Sequence, residues 1–205
     1  MPADWSTAWA RPWRELGAVG DDIERDALLA RYAEPQRHYH TQRHLEECFA
    51  RLEPVRSQAA RPAELDLALW YHDAVYAPRA SDNEARSADL AERAMARAGL
   101  PDDSEARVRA LIMATRHDAL PTPGDAALLV DVDLGILAAA PARFDEYERQ
   151  VRAEYAWVPD VLFRRKRREV LEGFLTRGRI YTSGAFDADE ERARDNLVRS
   201  VARLG

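Results

Sequence analysis

The stretch that most restricts this chain is "LDLALWYHDAVY", residues 65–76. Leu65, Leu67, Ala68, Leu69, Trp70, Ala74 and Val75 leave almost no polar face, so the pattern predicts a helix buried on most sides. His72 and Asp73 stand side by side in the middle of that segment. A buried carboxylate is costly unless it is paired, hydrogen-bonded or bound to a metal. Its partner must come from elsewhere in the chain.

The remaining sequence is helical in period, with no convincing alternating strand. A short amphipathic helix over 22–33 ends at Pro35, and "HYHTQRHLEECFARLE" forms another, broken by Pro54. The apolar helix runs from Ala63 to Tyr76 and stops at Pro78. "SDNEARSADLAERAMARAGLP" carries Ser81 or Asp82 as its cap and Gly99-Leu-Pro101 as its stop. "SEARVRALIMATRH" follows, then the very apolar "AALLVDVDLGILAAAP" and two longer helices near 142–156 and 160–177. The last begins at Asp187 with a D-x-x-E capping box to Glu190. With short loops, no repeat and no linker, residues 1–205 read as one all-α domain. The tryptophans at 5, 9 and 13 are expected to pack on its own core.

Composition removes several classes of function. Thirty basic against 36 acidic residues give a net charge of −6, which argues against nucleic acid as a partner. Lys166 is the only lysine, a bias that reads as a GC-rich coding sequence rather than a binding device. No apolar run reaches the roughly 18 residues of a membrane span, and the N-terminus lacks the pattern of a secretory signal. A single cysteine, Cys48, excludes an internal disulfide and a cysteine zinc cluster. A cytoplasmic protein is expected.

The five histidines are His38, His40, His44, His72 and His117, and three of them fall in one heptapeptide. His40 and His44, four apart, share a face if their helix already includes residue 40. Asp131 and Asp133 sit in a second apolar helix, where an uncompensated charge would again be expensive. Three apolar helices thus carry imidazole or carboxylate inward, and one cation could neutralise the two separate acidic sites, Asp73 in one helix and Asp131 or Asp133 in another. Nitrogen and oxygen donors without sulfur suit manganese, iron, magnesium, nickel, cobalt or zinc.

The order His44, His72-Asp73, Asp133 resembles the HD superfamily of metal-dependent phosphohydrolases, and "YHTQRHL" resembles the "YHN-x-x-H" of cyclic-nucleotide phosphodiesterases. "ALWYHDAVY", "DNEARSA", "DVDLGIL", "VRAEY", "RIY" and "ERARDNL" extend the likeness over most of the chain, to an uncharacterised bacterial group of predicted HD phosphohydrolases. The resemblance implies an HD-type helical domain whose metal ligands are His44, His72, Asp73 and Asp133, with Asp131 the second choice for the last. It makes His40 the general acid, one helical turn before His44. Asp73 could also bridge a second metal or orient the nucleophile, and Glu84 could position water. His117 could be a second-metal ligand or contact substrate. Arg116, Arg167, Arg194 and Asn196 are candidate contacts for a substrate phosphate; the alternatives are an exposed helix-end arginine for Arg116 and a structural network near the C-terminus for Arg194 and Asn196. His38 reads as a surface or supporting residue.

The expected activity is metal-dependent hydrolysis of a small phosphorylated molecule, a nucleotide among the candidates. Two rivals share the scaffold. A diiron oxygenase needs more histidines than His117 alone supplies between the HD pair and Asp133. A nucleotide- or RNA-binding module would use "RRKRR", residues 164–168, but five successive helical residues span more than a turn and cannot share one ligand.

Overall fold

In the computed structural model, which describes residues 4–205, the chain passes through α1 (Trp5–Glu15), α2 (Asp22–Arg31), α3 (Gln42–Leu52), α4 (Pro62–Tyr71) and α5 (Asn83–Arg97). It continues through α6 (Asp102–Ala114), α7 (Asp125–Asp133), α8 (Pro141–Glu154), α9 (Asp160–Leu175) and α10 (Glu190–Arg203). Short 3-10 turns at Glu53–Gln58, Leu134–Ala138 and Asp187–Asp189 complete the regular structure. Among the described residues there is no strand, so the fold class is all-α. No helix among them is long and apolar enough to cross a membrane.

The apolar segment is the hub. Every residue of α4 from Ala63 to Tyr71 is buried, and α1, α3, α5, α6 and α7 all pack on it. Trp70 is clasped by Trp5 and Trp9 of α1, with ring centroids 5.2 and 5.1 Å away, and by Phe49 of α3 at 5.4 Å. The tryptophan-bearing N-terminal helix therefore packs on the chain's own core. Trp9 and Trp13 close over Gly20 in the α1–α2 connection. A Cβ there would lie 2.7 Å from Trp9 Nε1 and 2.6 Å from Trp13 Nε1. Gly20→Ala is expected to lower unfolding stability by about 1–3 kcal/mol, the usual range for overpacking. Urea unfolding checks this, and an unchanged midpoint would mean that α1 yields freely.

Several details differ from the sequence reading, and three bear on the site or its surroundings. α4 ends at Tyr71, so His72 and Asp73 leave the helix end rather than standing in its middle. The buried Arg37 guanidinium donates to the carbonyls of Asp73 (2.6 Å) and Ala74 (3.0 Å), taking over groups a longer helix would have satisfied itself. α3 begins at Gln42, which leaves His40 in the preceding loop. The D-x-x-E capping box does not form. Glu190 instead accepts the backbone N–H groups of Ile180 and Tyr181, and Asp187 pairs with Arg179.

Candidate metal centre

The core buries more carboxylates than the apolar pattern alone suggests, and their partners separate them into kinds. Glu64 accepts from Ser104 Oγ at 2.8 Å and from Arg107 Nη2 and Nε, both at 2.7 Å. Asp66 is held by Arg11 (3.2 Å) and Arg56 (3.0 Å). Burial still outweighs those two guanidinium groups and raises the Asp66 carboxyl to about 6. Asp131 accepts from the backbone N–H groups of Thr182 (2.9 Å) and Ser183 (2.7 Å). Each of these acids has an arginine or a set of amide donors.

Among the described residues Asp73 and Asp133 have neither; they face imidazoles. His44, on α3, and His72, the residue that ends α4, are both buried. Their Nε2 atoms are 3.2 Å apart. Asp133 Oδ1, at the last residue of α7, lies 3.2 Å from His44 Nε2 and 3.6 Å from His72 Nε2. Asp73 Oδ2 lies 3.1 Å from His72 Nε2 and 3.5 Å from His44 Nε2. A metal with ligand bonds of about 2.1 Å spaces its neighbouring donor atoms by roughly 3.0–3.5 Å in octahedral or tetrahedral geometry. The spacing here is that of donors around one cation, and His44, His72 and Asp133 could together hold a metal ion.

Electrostatics point the same way. Burial lowers the basicity of His72, yet Asp73, together with contacts to Asp133, raises its pKa well above the ordinary value. Burial pushes the Asp73 and Asp133 carboxyls up. The histidines overcome this and hold both far below the usual carboxylate range: His72 and His40 chiefly for Asp73, His117 and His44 chiefly for Asp133. The pocket demands positive charge, which a bound cation supplies as well as a proton does. His72 is also pre-oriented. Its Nδ1 sits 2.8 Å from the Leu69 carbonyl, an acceptor only, so Nδ1 carries the hydrogen and Nε2 is left for the cluster.

His117 supports the carboxylate from behind. Its Nε2 is 2.9 Å from Asp133 Oδ2, the oxygen other than the one facing His44. It adopts a left-handed backbone, φ 58°, uncommon for a non-glycine residue. Arg177 Nη2 donates to its carbonyl at 3.0 Å and fixes the turn.

His40 stands in the loop before α3, its ring centroid 5.9 Å from that of His44 and stacked on Tyr76 at 4.1 Å. Its Nδ1 is 2.8 Å from Glu154 Oε2. Sequence reasoning did not single out Glu154 or Tyr76. A signal was present, because Phe144, Tyr147, Val151 and Glu154 follow helical spacing on one buried face of α8. A carboxylate that continues an apolar stripe needs a partner.

Other expected site residues are not brought to this cluster. Asp131 is spent on the 182–183 backbone, so of the two aspartates it is Asp133 that faces the histidines. Glu84, in the first turn of α5, makes no hydrogen bond or ion pair with the four candidate ligands among the described residues. Arg116 pairs with Asp118 at 3.2 Å. Arg167 is locked onto Glu148 and lies over the Tyr147 ring. Arg194 binds Glu190 and the carbonyls of Leu175, Arg177 and Gly178. Asn196 donates to Leu137 and Ala139 carbonyls. Arg167, Arg194 and Asn196 thus tie helices to their neighbours, whereas the Arg116 contact is local to the loop after α6. The basic run is likewise dispersed, with Lys166 on Glu169 and Arg164 on the carbonyls of Arg203 and Gly205. The His38 side chain is exposed.

No family model, curated protein or solved structure matches this chain.

Proposed function

We propose that the chain is a metal-dependent phosphohydrolase of the HD type acting on a small phosphorylated molecule, with nucleotides the first class to try. The observation that carries this reading is the convergence of His44, His72, Asp73 and Asp133 at ligand spacing, with no arginine among the described residues paired to the two acids. The order of those residues in the HD resemblance supports it, as does the placing of His40 beside the cluster.

When bound, a divalent cation supplies a water of lowered pKa and polarises a phosphoryl oxygen. Manganese, iron, magnesium, nickel, cobalt and zinc all accept this donor set. The chain's own residues do the rest. His44 and His72 bind through Nε2, and His117 keeps Asp133 turned towards them. Asp73 completes the ligand set and offers its remaining oxygen to the attacking water. His40 protonates the departing oxygen.

Phosphate release from a panel of nucleotides and sugar phosphates, with added manganese, tests the reading. Release is expected from at least one member and should fall to background in Asp73→Ala with helical content retained. Release that survives Asp73→Ala unchanged would remove this cluster from the reaction. No release from any member by a metal-loaded protein would overturn the phosphohydrolase assignment.

A further inference from the structure

Beyond the metal ligands, we infer that Glu154 and Tyr76 are positioning residues that hold His40 in a single tautomer, so that only its Nε2 can exchange a proton with substrate. This rests on the phosphohydrolase reading for its chemical use, but not for its geometry.

Glu154 closes α8 with a carboxylate that is fully engaged. Oε1 accepts the backbone N–H groups of His38 (2.8 Å), Tyr39 (2.7 Å) and His40 (3.1 Å). Oε2 accepts the Tyr76 hydroxyl at 2.8 Å and faces His40 Nδ1 at 2.8 Å. An ionised carboxylate is an acceptor only, so the hydrogen of this last contact sits on Nδ1. The same group fixes both the loop that carries His40 and the ring itself.

Tyr76 adds a second restraint. Its ring lies over His40 at 4.1 Å with planes 27° apart, and its hydroxyl ends on the oxygen that holds Nδ1. Tyr39 packs edge-on from another side at 4.9 Å. The imidazole can neither flip nor tilt without breaking the Glu154 contact. Charge-assisted bonds of this kind are the stronger class and orient as well as bind.

The proton bookkeeping is then fixed. Protonated His40 carries Nδ1–H on Glu154 and a second hydrogen on Nε2. As the phosphorus–oxygen bond to the leaving group breaks, the electron pair stays on that oxygen and the oxygen takes the Nε2 hydrogen. The attacking water forms the new phosphorus–oxygen bond, and a proton it releases restores His40. Nδ1 keeps its hydrogen throughout, and Glu154 remains a carboxylate.

Glu154→Gln is the incisive variant. Its amide oxygen can still receive the three backbone N–H groups, while its NH2 cannot accept from Nδ1–H. Two manganese-dependent substrates separate the roles: an alkyl phosphate, whose leaving oxygen needs a proton, and p-nitrophenyl phosphate, whose leaving group does not. General acid catalysis contributes about 10²–10⁴-fold. The variant is expected to lose on the order of 10²-fold in kcat on the alkyl phosphate, with KM little changed. On the aryl phosphate it should lose less than about threefold, since no acid is required there. Manganese affinity should be preserved.

A readout independent of turnover is the ¹⁵N spectrum of magnesium-loaded protein at a pH where His40 is neutral, assigned with His40→Gln. Wild type is expected to show the Nδ1–H tautomer, and Glu154→Gln to lose it. Equal losses on both substrates, or an Nε2–H tautomer in wild type, would overturn the proposal. If wild type hydrolyses neither substrate, the phosphohydrolase reading fails. An Nδ1–H tautomer lost in Glu154→Gln would still uphold the positioning role.

Discussion

Asp133→Ala is expected to abolish the thermal stabilisation that a divalent metal confers, whereas Asp131→Ala, two residues away on the same helix, should keep it. A ligand that binds only the folded state stabilises by about 2.7 kcal/mol at a concentration 100 times its Kd. For a chain of this size each kcal/mol moves Tm by roughly 2–4 °C, so saturating manganese or zinc should raise wild-type Tm by about 5–11 °C. Asp133 supplies the oxygen 3.2 Å from His44 Nε2. Losing a residue that merely supports a ligand costs about 10–100-fold in metal affinity, and loss of a ligand itself should exceed 100-fold. Asp131→Ala acts on stability instead. Removing the acceptor of the Thr182 and Ser183 N–H groups should cost on the order of 2–3 kcal/mol with or without metal. Thermal melts at several metal concentrations separate the two. A metal-induced shift that persists in Asp133→Ala would remove Asp133 from the ligand set.

The same pair shows what the sequence could disclose. Residues two apart on a helix point about 200° from each other, so Asp131 and Asp133 could not both reach one cation. The HD resemblance already put Asp133 ahead of Asp131. What no local pattern encodes is that the 182–183 backbone engages Asp131. The candidate donors were legible because a histidine beside a carboxylate in a largely apolar run demands a partner. The all-α class was legible for a related reason: α4, buried on all sides, needs several helices around it.

What stayed hidden depended on long side chains arriving from distant segments. Arg37 ends α4 early by taking the carbonyls of Asp73 and Ala74. Glu190 deserts its capping box for Ile180 and Tyr181, because two backbone donors at a buried turn outweigh one local cap. For Arg194 and Asn196 the sequence left a substrate contact and a structural network both open; the partners that tie them, and Arg167, to neighbouring segments lie far off in the chain. A polar residue in an apolar helix reveals that a partner exists, but not whether the partner is a ligand or the chain itself.

Glu154 makes the stability of the whole domain depend on acid. His40 and backbone N–H groups overcome the effect of burial and hold its carboxyl at about 2, against an ordinary value of 4.5. A depressed carboxylate contributes stability that is complete above its ordinary pKa and disappears as pH falls through the folded one. A shift of that size corresponds to about 3 kcal/mol, shared with His40 as its partner. His40 moves the opposite way. Burial disfavours its charge, but Asp73 and Glu154 raise its pKa above the ordinary 6.5. Its contribution is complete below 6.5 and fades as pH rises through the raised value. The two are fully present together between about pH 4.5 and 6.5. In urea unfolding, wild type should exceed Glu154→Gln by the largest margin in that window. The margin should shrink steadily below pH 4.5 and be nearly gone by pH 2. Glu154→Ala, which also strands three backbone N–H groups and the Tyr76 hydroxyl, should cost about 3–5 kcal/mol within the window. A wild-type advantage over Glu154→Gln that stays constant from pH 6 down to pH 3 would mean that the carboxylate's charge does not stabilise the fold.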